Sequence, residues 1–484
     1  MTKLKLSLFA FSTLFVQNVF SQMFFGLQGS NFSGVNSIYT NPALAGLMPS
    51  RRSANISAVG FDMNNNYLSL EAPFSLWSLA TGSVGDEYRD ANGDIAWDKN
   101  WLNSDNSVNE ISGAMNLEYR GPSYANTYGR LVWATATRTR SNFTINKMSP
   151  EMASWVTKLL DTTAPLNIAE FAANKLDVSA NSYQEISAVL SYRVVNSKAY
   201  RLSIGGALKG ILGLGSFNLK NTGVNFSVDG ANSIRLESGT MNMSYTDNNL
   251  LNQIFKGAIS GSLPNFGSIR GFGLGFDAGI AMEFGYNMST DLQNGVNSKD
   301  YKLKVGLAIL DIGDVTYNNS NKNYAIDGTI PVEMSLLDPE FITAASQGSD
   351  AILQYTIEYA RNSGALTEST EKTTVSLPSS VQLQADYKVF KNLYVGMLWQ
   401  QRVQVQGENN WLENSSLVIV PRFEHKWFEL SLPISSFHNY NDFGLGGFLR
   451  IHSLYFGTDN ILSAFRVSKY SGMNFYMGFT TNIN

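Results

Sequence analysis

Between Gly271 and Tyr286 the sequence alternates two kinds of side chain without a slip. Even positions carry Phe272, Leu274, Phe276, Ala278, Ile280, Met282, Phe284 and Tyr286. Odd positions carry Gly271, Gly273, Gly275, Asp277, Gly279, Ala281, Glu283 and Gly285. A strand sends successive side chains to opposite faces. This one therefore presents an apolar face and a small or polar face. Ordinary strands run about five or six residues. A longer one with strict two-faced chemistry suits a wall between lipid and water. Strands of transmembrane β-barrels need about 9–11 tilted residues and alternate apolar-out, polar-in.

The pattern recurs. Ile186, Ala188, Leu190, Tyr192 and Val194 oppose Glu185, Ser187, Ser191 and Arg193. Tyr301, Leu303, Val305, Leu307 and Ile309 oppose Lys302, Lys304 and Gly306. Val381, Leu383, Ala385 and Tyr387 oppose Gln382, Gln384 and Asp386. A soluble sandwich also alternates. The large aromatic-capped apolar faces, the Gly, Ser, Gln and charge opposite them, and an export signal favour the membrane. Short joints at Val195–Lys198, Phe390–Asn392, Glu424–Lys426 and His452–Ser453 alternate with long connections at about 141–182, 213–270 and 312–378. Barrels of this kind have short periplasmic turns and long external loops. The expected fold is all-β: a transmembrane antiparallel β-barrel of about 14 strands, with 12 and 16 as alternatives.

The N-terminus reads as a cleaved signal peptide over residues 1–21. Lys3 and Lys5 precede an apolar core from Leu6 to Val16, and Val19 and Ser21 precede a cut ahead of Gln22. Residues 22–52 are expected to form a luminal plug segment, and 53–484 the barrel. Helical turns are expected in external loops after Ser149-Pro150-Glu151, after Asp338-Pro339-Glu340 as far as about Arg361, and over Asn248–Ile259.

Charged residues make up only 15% of the chain, low for a soluble protein, and the net charge of −4 gives no reason to expect nucleic acid. There is no cysteine, which excludes thiolate chemistry and a lipoprotein anchor. Enzyme chemistry finds no support, and no cofactor is expected. His425, His438 and His452 form no metal-binding helical pair, and neither a nucleophile elbow nor a phosphate loop occurs. Asp90, Asn92, Asp94 and Asp98 take positions 1, 3, 5 and 9 of a calcium loop. Ile95 replaces its glycine and Trp101 its final glutamate, so a solvated acidic loop is the better reading. Arg130, Arg138 and Arg140 share a parity opposite Leu131 and Trp133. They are candidate luminal contacts for an anionic head group, or partners for carboxylates such as Asp277 and Glu283.

Asn41-Pro42-Ala43-Leu44-Ala45 just before the alternating strands resembles the FadL-like outer-membrane barrel superfamily. Gly273–Gly279, Val305–Gly313, Leu377–Ser380 and Pro421–Glu424 are similar to a Bacteroidota group of such barrels. The resemblance implies a 14-stranded barrel in the bacterial outer membrane, with Asn41, Pro42 and Ala43 as a motif of the luminal plug. It also implies passive passage of hydrophobic or amphipathic small molecules. The alternative is a non-transporting docking or accessory subunit of a surface or secretion assembly. The expected partners are outer-membrane lipid, a hydrophobic small-molecule ligand and other envelope proteins. An inward apolar pocket and a break in the wall would favour transport, and a lumen packed shut with salt bridges would count against it.

Overall fold

The structure is a computed structural model. It describes residues 24–483, except 76–77, 79–81, 92, 94, 97, 106, 154–170, 174, 222, 229–232, 238, 247–268, 291–300, 318–321, 328, 331, 336, 348, 370–371, 404–414, 438–441 and 462–471. Antiparallel strands close into a barrel of 14 wall strands. In chain order they are β1 (Arg52–Asn65), β2 (Ile111–Arg120, then Ser123–Tyr128), β3 (Leu131–Met148), β4 (Leu176–Asn196) and β5 (Tyr200–Asn221). Next come β6 (Gly271–Gly285), β7 (Tyr301–Tyr317), β8 (Thr373–Ser376, then Ser380–Phe390), β9 (Leu393–Arg402) and β10 (Ser416–Glu424). The ring continues with β11 (Phe428–Ser431, then Ile434–Phe437), β12 (Asp442–Leu445, then Gly447–Ile451), β13 (Leu454–Thr458) and β14 (Gly472–Ile483). The last strand returns to the first, pairing Arg52 with Ile483 and Ala54 with Thr481. Closure leaves no free sheet edge in the wall among the described residues, as a lipid environment demands.

Burial follows the pleat. On β6, Leu274 is 78% exposed, and Phe272, Phe276, Ile280 and Phe284 are exposed with it, while Asp277, Ala281 and Glu283 are buried. Leu190 and Leu208 repeat this on β4 and β5, as do Leu307, Leu383, Ile419, Leu430, Phe456 and Met477 further round. The apolar faces are turned outward all round the ring rather than against one another. Aromatics gather at the short turns: Tyr128, Tyr192, Tyr200, Tyr387, Phe390, Trp427 and Phe428 are exposed there. Such girdles mark a membrane–water boundary.

The turns are built from local chemistry. Gly129 joins β2 to β3 at φ 62°, and His452 joins β12 to β13 at φ 56°. The Ser197 side chain accepts from the backbone N–H of Tyr200 at 3.1 Å in the β4–β5 turn.

At the opposite end the walls run further than the alternation suggested. β3 reaches Met148, β4 starts at Leu176, and β5 extends to Asn221, into segments expected to be loop. Both faces are buried there, so the two-faced signature fades. Residues 139–145 are buried without a break. A cap covers this end. It contains a small sheet of 171–173, 225–228, 233–237 and 332–335, and helices Pro339–Gln347 and Ser349–Asn362. Leu236, Val332, Met334, Phe341, Tyr355 and Ala360 share one apolar core in it. The helix expected after Ser149 begins at Pro150. Asn248–Ile259 lies outside the described residues.

Candidate functional site

Phe24–Arg51 runs inside the ring. Two short 3-10 helices, Gly34–Tyr39 and Pro42–Leu47, organise it, and nearly every residue is buried. Asn41 is the N-cap of the second helix. Its side-chain oxygen accepts from Ala43 N at 2.9 Å, and Pro42 opens the helix where no N–H is needed. The amide nitrogen of Asn41 donates to the carbonyls of Ile280 at 3.1 Å and Leu307 at 3.3 Å. Those two residues face each other across β6 and β7.

The wall beneath this turn is glycine. Gly205 on β5 pairs with Gly279 on β6, and Gly306 follows on β7. A Cβ on Gly205 would stand 2.6 Å from the backbone of Pro42 and Ala43. One on Gly279 would overlap the Asn41 side-chain oxygen, and one on Gly306 would sit 2.9 Å from its amide nitrogen. The bare face of β6 is thus a seat for the Asn41-Pro42-Ala43 turn. The three motif residues are brought together against one patch of wall.

Further anchors surround the segment. Gly46 N donates to Ser191 at 3.0 Å, and Arg193 donates twice to the Gly46 carbonyl at 3.0 and 2.9 Å. Ser30 donates to Glu429 at 2.7 Å and Asn31 to Tyr301 at 2.8 Å. Val35 N donates to Ser53 at 2.9 Å, and Asn36 to Thr480 at 2.8 Å. The guanidinium of Arg450 lies 3.7 Å over the Phe32 ring. Strands from every side of the barrel hold the same piece of chain.

Arg138 and Arg140 lie in the lumen, as parity predicts, and are paired with carboxylates. Arg138 binds Glu185 at 2.7 Å, and Arg140 binds Asp311 at 2.7 Å and Glu185 at 3.2 Å. Lys209 binds Asp277 at 2.7 Å and also pairs with Asp311. Three cations thus meet three carboxylates, the condition for burying charge. The arginines reach Glu185 and Asp311 rather than Asp277 and Glu283; Glu283 pairs with Arg201 at 2.9 Å and Lys304 at 3.2 Å. Arg130 corrects the parity argument. It is exposed in the turn after Gly129, reaching the Val194 carbonyl at 3.3 Å. The pleat ends before it, so parity no longer sets its direction.

Asp311 reaches this cluster through a β-bulge. Its φ is 57°, unusual for a non-glycine, and the β6–β7 register slips beside it. Nothing in the alternation of Val305–Ile309 foretold the slip. Opposite it, β8 is interrupted at Leu377–Ser379. The wall is interrupted a second time at Gly121-Pro122 in β2. There the Asn55 side chain fills the gap, donating to the carbonyls of Arg120 at 3.1 Å and Gly121 at 3.0 Å. Between the luminal segment and β7–β10 lies a cavity of about 50 Å³. Phe25, Leu44, Leu47 and Met48 line it from the segment, and Lys304, Gln384, Met397, Leu398 and Val418 from the wall. This holds water-sized guests; solute pockets are about 300–1,000 Å³.

The acidic loop is not assembled among the described residues. Asn92 and Asp94 lie outside them, Asp90 and Asp98 are exposed, and the Asp98 carboxylate accepts from Asn100 N at 2.9 Å. His425 and His452 are exposed in turns, and His438 lies outside the described residues.

A closed ring of long strands, an apolar exterior and an interior of paired charge define a transmembrane β-barrel. The chain belongs to a family of unknown function, DUF5723, whose model matches residues 45–459. In fold it is similar to the TodX monoaromatic hydrocarbon channel deltaS2 mutant, at 8% identity over 94% of this chain and 95% of that one, TM-score 0.43. It is also similar to the CymD monoaromatic hydrocarbon channel, at 9% identity over 94% of each chain, TM-score 0.34. The translocator domain of autotransporter NalP from Neisseria meningitidis is similar at 6% identity over 93% of this chain and 95% of that one, TM-score 0.33. No curated protein matches the sequence.

Proposed function

We propose that this chain is a bacterial outer-membrane barrel that passes hydrophobic or amphipathic small molecules without catalysis. In this reading residues 1–21 are removed on export, 22–52 act as a movable plug, and 53–484 form the barrel, on the pattern of FadL-like transporters. One observation carries it. At the level of Gly205, Gly279 and Gly306 the lumen is filled by a separable stretch of chain, not by wall side chains. Moving that stretch opens the lumen and leaves the ring intact. A barrel serving only as a platform has no need of this, because large inward side chains would fill it.

The ion pairs close a direct path, and their placement limits how much they weigh against transport. Arg422 pairs with Asp386 and Glu424, and Arg450 with Glu429, within a strand or between near strands along the wall. Arg138 and Arg140 do cut a chord from β3 to Asp311 on β7. In this reading displacement of the luminal segment widens the water-sized cavity facing β7–β10 into a solute route beside that chord.

The test is a reversible lock. A Cβ on Gly46 would lie 3.1 Å from that of Ser203 on β5, close to disulfide range, and the chain has no cysteine of its own. With Gly46→Cys and Ser203→Cys in proteoliposomes, uptake of a labelled monoaromatic hydrocarbon or long-chain fatty acid stops on oxidation and returns on reduction. Uptake no different from protein-free vesicles in either state overturns the reading.

A second reading has its own support. The cap carries a folded apolar core above the barrel mouth, suited to rigid docking of another envelope protein. Stoichiometric co-purification lost on deletion of residues 332–369, with uptake unaffected, would favour it.

A further inference from the structure

Ten carboxylates are buried among the described residues, and eight of them lie within ion-pair distance of an arginine or lysine. Asp62 on β1 and Asp459 just after β13 are the exceptions, at 1% and 3% exposure. One side chain joins them. Asn474 donates to Asp62 at 3.3 Å, and its oxygen accepts from Asp459 N at 2.9 Å. Asn64 also donates to Asp62, at 3.1 Å. Two buried oxygens here have no partner: the second carboxylate oxygen of Asp459 and the side-chain oxygen of Asn64, itself only 2% exposed. The Asn64 oxygen is carried on the amide that binds Asp62, so it is held beside that carboxylate.

Two carboxyls removed from water either take up a proton or need positive charge close by. The groups offered are all hard oxygens, with no imidazole or thiolate among them. That donor set selects calcium-type cations over zinc or copper. We propose that Asp62, Asn64 and Asp459 hold one hard metal cation of the calcium class inside the barrel. The site would also secure the start of the luminal segment. Tyr476 donates to Asp459 at 3.1 Å and accepts from Gly26 N at 2.9 Å.

The experiment uses the full folded chain in detergent, stripped with chelator and desalted. Calcium raises the melting temperature of the wild type, and about one ion per chain survives desalting. Terbium in its place gives tyrosine-sensitised luminescence through Tyr476. Asp459→Asn abolishes all three effects. Should that variant not fold, Asp62→Asn reads the same losses. Glu110→Gln, at an exposed pair with Lys175, leaves them intact. A wild type indifferent to calcium and carrying none, or an Asp459→Asn protein that binds like the wild type, overturns the proposal.

Discussion

The side-chain amide of Asn41 occupies the space a methyl group on Gly279 would need, while donating to the wall carbonyls of Ile280 and Leu307. The luminal turn and the bare strand face are therefore one fitted unit. Gly279→Ala is expected to push Asn41 out of its seat, and Asn41→Ala to remove its cap and wall contacts. Losing the cap alone costs about 0.5–2 kcal/mol. Both variants should keep the barrel's strand signal in circular dichroism while limited proteolysis cuts within residues 24–51. Protection equal to the wild type would show that the seat does not hold the segment.

Glu185 is shared by Arg138 and Arg140. Glu185→Gln leaves two buried guanidiniums competing for Asp311, at a cost of about 3–5 kcal/mol. Adding Arg138→Met should recover part of that loss, since it restores the charge balance. Denaturant titration of the refolded barrel reads both steps, and strict additivity would contradict the shared network.

Leu274 stands 78% exposed on the outer face. Leu274→Arg should destabilise the inserted barrel by about 2–4 kcal/mol if it lies near the bilayer centre. Leu274→Phe should be close to neutral. Equilibrium folding into vesicles distinguishes them; equal stability of the Arg and Phe variants would deny lipid contact at this site.

Asn55 completes the wall where β2 breaks at Gly121-Pro122. Asn55→Ala strands two carbonyls, each worth about 1–3 kcal/mol when buried without a partner. Faster hydrogen exchange confined to residues 55–58 and 120–124 is the expected signature. Uniform exchange across the barrel would place the weak point elsewhere.

How much was legible depended on the range of the interaction involved. Glu185, Asp277 and Glu283 were readable as inward groups because parity alone places them. The outward run from Phe272 to Phe284 was readable for the same reason. The partners were not. Arg138 and Arg140 meet Asp311, far away in sequence, through a bulge at φ 57° that leaves no compositional trace. Arg130 escapes parity because a turn interrupts the pleat. Asp62 and Asp459 carry no sequence signal, since their common feature is the absence of a nearby cation among the described residues. That is a property of the folded interior. A sharper signal did exist for the seat: glycines at 205 and 279 face each other on neighbouring strands, with Gly306 two residues along on the next.

The linear chain alone determined the two-faced strands, their outward grease and the short turns at one end, because side-chain alternation is local and has a period of two. Ring closure, strand register, the folding of Phe24–Arg51 into the lumen and the choice of ion partners were decided only in three dimensions. Each of those depends on which distant strand arrives alongside, and a slip of a single residue reverses every face.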